Sequence, residues 1–201
     1  MHKRNAFLAV AALCVAFAAT AQADGKAKAM VCIACHGADG NSSNPIWPNL
    51  AAQNPSYMVA QLKAFKGGAR QNPSMAPMVA SLADGDMAEI SDFFAAQTLH
   101  VKPLAADQTE AATAGQKLYR GGDVERGIPA CMACHGPDGR GNPASGYPAL
   151  AGQQFDYTVA QLQNYHNNAR QTDPQAMMRT IAKRLTEDDI KNLARYVSAL
   201  H

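Results

Sequence analysis

The sequence predicts an all-α chain folded as two tandem halves, and three observations carry that prediction. Strand-like alternation is nearly absent, whereas apolar residues recur at helical spacing. Stretches of the chain return at an offset of 100: Trp47-Pro48-Asn49-Leu50-Ala51-Ala52-Gln53 as Tyr147-Pro148-Ala149-Leu150-Ala151-Gly152-Gln153, Val59-Ala60-Gln61-Leu62 as Val159-Ala160-Gln161-Leu162, and Ala69-Arg70-Gln71 as Ala169-Arg170-Gln171. Each half also holds one Cys-x-x-Cys-His pentapeptide, Cys32 to His36 and Cys131 to His135.

Residues 1–23 read as an export signal. Lys3 and Arg4 open it, Ala6 to Ala19 is an apolar run of mostly small residues, and Ala21-Gln22-Ala23 supplies an A-x-A cleavage site. The run is short and alanine-rich for a membrane span. Cleavage near Ala23 would remove Cys14 and leave four cysteines, all in the two pentapeptides. Lys3 and Arg4 also account for the excess of 18 basic over 16 acidic residues, so the remainder is balanced. Nothing suggests nucleic acid, which would need a basic stripe.

The first half, residues 24–101, reads as a helix over 25–35 running into the cysteine motif. A Gly/Asn/Ser/Pro-rich loop from Gly37 to Asn54 follows. Asn54-Pro55 offers a cap and a first-turn proline to the next helix. Met58, Leu62 and Phe65 share a face of that helix, and Gly67-Gly68 stops it. The last helix of the half starts near Asp84, with Met87, Ile90 and Phe94 inward. Residues 98–108, with Pro103, read as the linker. The second half, residues 102–201, opens with a helix from about Thr109 and carries an insertion between Gly121 and Pro129. Val159, Leu162 and His166 fall at i, i+3, i+7. Thr186 with Asp189 resembles a capping box. Ile190, Leu193, Ala194, Val197 and Leu200 form the closing apolar stripe. Neither half is long enough to bury much apolar surface alone. A rigid prosthetic group in each would complete its core.

The chemistry lies in the pentapeptides. Two thiols three residues apart, followed at once by an imidazole, are a c-type haem attachment site. Cys32 and Cys35, and again Cys131 and Cys134, would form thioethers to the haem vinyl groups. His36 and His135 would come up beneath the iron as proximal ligands. A redox dithiol would want a βαβ context. A shared zinc site would leave both histidines without a reason. Each proximal imidazole needs an acceptor for its second nitrogen, and the carbonyls of Pro48 and Pro148 stand in matched places. Methionine is the sixth ligand that raises the potential of such a haem, and each half offers two in its last loop: Met75 and Met78, Met177 and Met178. His100 and His201 lie in the linker and at the terminus, and His166 ends a helix. Arg70 and Arg170 recur in register, either to pair with haem propionates or to close a surface turn.

With these motifs in place, the chain resembles the dihaem cytochrome c4 family over residues 24–201. The resemblance rests on CIACHGADGN at 32–41, CMACHGPDGRG at 131–141, YPALAGQ at 147–153 and MMRTIAKRLTEDDI at 177–190. It implies two class I cytochrome c domains about a pseudo-twofold axis, one covalent haem c in each, and the haems facing across the interface. It also implies His–Met ligation at both irons. One-electron transfer in the periplasm is implied too, from a quinol-oxidising complex towards a terminal haem–copper oxidase; loose membrane association stays open. Counting back from the last helix aligns Leu82 with Leu185 at an offset of 103 and sets Met75 opposite Met178. Counting forward from Arg70 and Arg170 pairs Met78 with Met178 instead. The first register is preferred, because the last helix fixes the ligand's distance and the stretch after Arg170 is loop that absorbs three residues at little cost.

Two functions follow from these residues. With His36 and Met75, His135 and Met178 on the irons, no coordination position is open, and the protein is an electron carrier with no substrate chemistry of its own. The rival is an enzyme: a dihaem peroxidase, or the haem-bearing subunit of a dehydrogenase. A peroxidase needs an acid–base group beside an exchangeable site, and the sequence offers no candidate.

Overall fold

The computed structural model describes residues 24–201. The expected signal segment and Cys14 lie outside the described residues. Helical residues 24–28 lead through a turn at Ala29 into α1 (Met30–His36). The continuous helix expected over 25–35 is therefore broken. The Ala29 carbonyl accepts from Cys32 N at 2.8 Å and from Ile33 N at 3.2 Å, which tightens the turn and buries Ala29 completely. There follow α2 (Pro55–Lys66), α3 (Met75–Val79) and α4 (Asp84–Ala95). The second half runs α5 (Thr109–Gly121), α6 (Met132–His135), α7 (Phe155–His166), α8 (Met177–Ala182) and α9 (Glu187–Ala199). Among the described residues the only β pairing is two isolated bridges, Asp123 with Ile128 and Asn142 with Tyr147. None of these helices is long and apolar enough to cross a membrane.

The halves share one plan. The opening helix of each crosses the closing helix at a glycine: a Cβ on Gly25 would strike the Glu89 carbonyl of α4, and one on Gly115 the Asn192 carbonyl of α9. Only glycine lets the backbones approach this closely. The second core gathers Leu118, Tyr119, Ile128, Leu185, Ile190, Leu193, Tyr196, Val197 and Leu200. The first is smaller: Ala29, Met58, Ile90, Phe93 and Phe94. Thr186 caps α9 as expected, its Oγ1 accepting from Asp189 N at 3.1 Å while its own N–H donates to Asp189 Oδ2 at 2.8 Å. The helices α4 and α9 begin 103 residues apart, and the short 3₁₀ turn Pro174–Ala176 stands before α8.

Asn54 does not cap α2. Its Nδ2 crosses to the other half and donates to the Tyr147 carbonyl at 2.6 Å. Reciprocal contacts join the halves throughout. Arg70 donates to Tyr157 Oη at 3.0 Å and to Gln161 Oε1 at 2.8 Å; Arg170 donates to Tyr57 Oη at 2.9 Å and to Gln61 Oε1 at 2.8 Å. Both guanidiniums are buried. They do not close a surface turn; they hold the interface, each lying over an aromatic ring of its own half, Phe65 or Tyr165. Contacts exchanged in this crossed way define a pseudo-twofold axis.

Candidate functional site

Each site is built on a glycine turn. His36 ends α1, and Gly37 leaves the helix at φ +84°. Gly40, at φ +76°, turns its carbonyl to accept from Leu50 N at 2.7 Å and Ala51 N at 3.1 Å. A Cβ there would strike Ala51 N and the Phe94 ring, so the turn requires glycine. The loop is folded back by these bonds until Pro48 O stands 2.9 Å from His36 Nδ1. The second half repeats the device. The Gly139 carbonyl takes Leu150 N and Ala151 N, and Pro148 O stands 3.0 Å from His135 Nδ1. The expected proline carbonyls are thus the partners of both imidazoles.

Both rings are buried. Burial holds each below the ordinary histidine pKa, only partly opposed by the bond to the proline carbonyl. At neutral pH the rings are therefore uncharged. With the Nδ1 proton donated to the proline, each presents the bare Nε2 lone pair, the form that ligates a metal. Neither Nε2 has a hydrogen-bond partner among the described residues.

Among the described residues no disulfide joins Cys32, Cys35, Cys131 and Cys134. Cys32 and Cys131 pack against the two cores, and burial pushes each thiol up to about 11. Cys35 is exposed and Cys134 half-buried. The methionines stand on short helices rather than in open loop. Met75 opens α3 and is half-buried; Met78, on the same helix, is 40% exposed. Met177 lines a shallow apolar groove with Val124, Ile128, Thr180 and Ile181, and Met178 follows it, half-buried. No group of three or more His, Cys, Asp or Glu side chains among the described residues could hold a bare metal ion. His166 Nδ1 meets the Ala182 carbonyl at 2.9 Å.

Paired cysteines outside any disulfide, beside a neutral, buried imidazole with an unspoken-for Nε2, suit a c-type haem. Sequence reasoning found those residues but missed the groups behind them. Gln53 and Gln153 reach across the interface to the backbone beside each proline. The one signal was their recurrence in register, which gave no direction.

Fold and sites together define a tandem c-type cytochrome with two covalently bound haem c groups. The family model for Cytochrome c matches residues 22–97 and again 112–201. A cytochrome c4 from Thiocapsa roseopersicina is 43% identical over 178 residues, covering 88% of this chain and 91% of its own length. The crystal structure of reduced recombinant cytochrome c4 from Pseudomonas stutzeri superposes with a TM-score of 0.84 at 37% identity, over 88% of this chain and 97% of that one. A thiosulfate dehydrogenase electron acceptor from Stutzerimonas stutzeri is 40% identical, covering 84% of this chain and 78% of its own. The chain belongs to the cytochrome c4 family and is a dihaem electron-transfer cytochrome.

Proposed function

We propose that this cytochrome carries single electrons in the periplasm, from a quinol-oxidising complex towards a terminal haem–copper oxidase. The observation that carries the reading is the matched pair of sites, each with a neutral buried imidazole fixed through Nδ1 by a proline carbonyl. In domains 24–101 and 102–201, Cys32 and Cys35, and Cys131 and Cys134, hold the two haems. His36 and Met75 ligate one iron, and His135 and Met178 the other. Bound haem supplies the one-electron ferric/ferrous couple. The residues contribute a rigid proximal imidazole, a closed sixth position and burial. The exposure of Met78 supports Met75 over it, and the extra turn before α8 supports pairing Met75 with Met178. Arg70 and Arg170 are buried cations with only neutral protein partners. A buried charge wants a counter-charge, which supports both as partners of the propionates.

The relative that accepts electrons from thiosulfate dehydrogenase favours a second donor, a sulfur-compound dehydrogenase, at the same haems. Purified, reduced protein separates carrier from enzyme: neither haem should bind carbon monoxide rapidly. Fast, complete binding at one haem would establish an open iron and overturn the carrier reading. Reduction by quinol-oxidising membranes, set against reduction by a thiosulfate dehydrogenase, identifies the donor.

A further inference from the structure

The proline carbonyls that receive the imidazoles belong to peptide units gripped from the other half. The Pro48 carbonyl and the Asn49 N–H are the two ends of one amide. Asn49 N–H donates to Gln153 Oε1 at 2.8 Å, and Gln153 Nε2 donates back to Asn49 O at 3.0 Å. The mirror arrangement holds on the other side: Ala149 N–H donates to Gln53 Oε1 at 2.7 Å, and Gln53 Nε2 to Ala149 O at 2.9 Å. Both glutamines are buried, at 7% exposure. Their amides cannot turn over. Each Oε1 also accepts the next backbone N–H of its own half, Asn54 or Gln154, so the reverse orientation would set an NH₂ group against two donors.

Each site is therefore the end of a three-link chain: Gln Oε1 to peptide N–H, peptide C=O to His Nδ1–H, His Nε2 to iron. Hydrogen bonds in series polarise one another in a low-dielectric interior. Donation by Asn49 N–H to Gln153 puts more negative charge on Pro48 O. That oxygen then draws harder on the His36 proton, and the ring becomes a stronger donor to its metal. We propose that Gln153 and Gln53 are crossed positioning residues, each stabilising the ferric state of the haem in the opposite half through the 48–49 and 148–149 peptides. The proposal rests on His36 and His135 being the proximal ligands.

The test is a redox titration of the dihaem protein followed by NMR, with each haem's own methyl resonances reporting its oxidised fraction. In Gln153→Leu the acceptor is lost, and the haem on His36 should favour the ferrous state at least twofold, about 18 mV upward at 59 mV per tenfold for one electron. The haem on His135 should stay put. Gln53→Leu should do the reverse. Gln153→Glu keeps the acceptor oxygen and should not raise the His36 haem. Ser56→Ala, which removes an exposed cross-half bond to Pro143 O, should move neither. Shifts that are equal at both haems, fall on the residue's own half, or are absent in protein carrying two haems would overturn the relay. Should the leucine variants not fold, the Glu variants and the wild-type amide protons decide: Asn49 and Ala149 N–H must be strongly protected from exchange, and rapid exchange overturns the relay. Absence of covalent haem, or a proximal ligand other than these histidines, would instead sink the reading beneath it.

Discussion

Replacing Cys35 or Cys134 by Ala removes one of the two thioethers expected at its site. Each variant should leave a haem held by a single bond, and its attachment yield should fall when expressed with c-type maturation. Denaturing mass spectrometry checks this: wild type should carry two haem masses. Met75→Ala and Met178→Ala should each abolish about half of the ferric sulfur-to-iron charge-transfer band, since thioether ligation is what produces it. Met78→Ala should leave the band intact, as its 40% exposure directs. Loss of half the band on substituting Met78 alone would reverse the assignment. Residues of this kind were legible in the sequence because their chemistry is local. Two thiols and an imidazole within five positions, or a proline 12 or 13 residues on, can be read from spacing. The roles of Asn54, Arg70 and Arg170 in the interface could not be, because the cross-half partners of each sit 86 or more residues away. Asn54 has the composition of a cap, yet its amide is worth more buried against Tyr147 O than on its own helix.

Helix α9 shows how an element is fixed at both ends and along its length. The capping box at Thr186 satisfies its first turn, three acidic residues there favour the dipole, and the stripe from Ile190 to Leu200 closes the core. All of this is periodic or adjacent, so it was legible. Thr186→Ala should cost about 1 kcal/mol, lowering the melting temperature by roughly 2–4 °C, as calorimetry would read. The α5–α9 crossing was not legible, because a glycine inside a helix gives no hint of what it must avoid. Gly115→Ala improves helix propensity by about 1 kcal/mol, yet it drives a methyl group into the Asn192 carbonyl. Overpacking of this kind costs about 1–3 kcal/mol, so the net effect should be destabilising. A higher melting temperature in Gly115→Ala would mean that the crossing relaxes.

For the whole molecule, residues 24–201 balance basic against acidic side chains, and no net charge on the chain is available to steer partners. Electron-transfer rates with a soluble partner should therefore change only moderately with salt; a collapse by orders of magnitude would reveal a concentrated charge patch. The interface, by contrast, is dense with buried bonds. Arg170→Ala takes the donor from Tyr57 Oη and leaves Gln61 and Gln161 with Arg70 as their remaining arginine donor, and should cost about 1–3 kcal/mol. Calorimetry should then split one cooperative transition into two, the half with the smaller core melting first. The crossed contacts have a last consequence. A homodimer with this geometry would be bound by identity: every substitution would occur twice, and its two irons would stay energetically equal. Fusion of the two copies into one polypeptide lifts that obligation. Position 49 is Asn, with its amide bonded to Gly152 O and its oxygen to Ser42 N, whereas position 149 is Ala. The outline remains symmetric while the chemistry has become handed, and a handed pair can give an electron a downhill direction that two identical subunits could not.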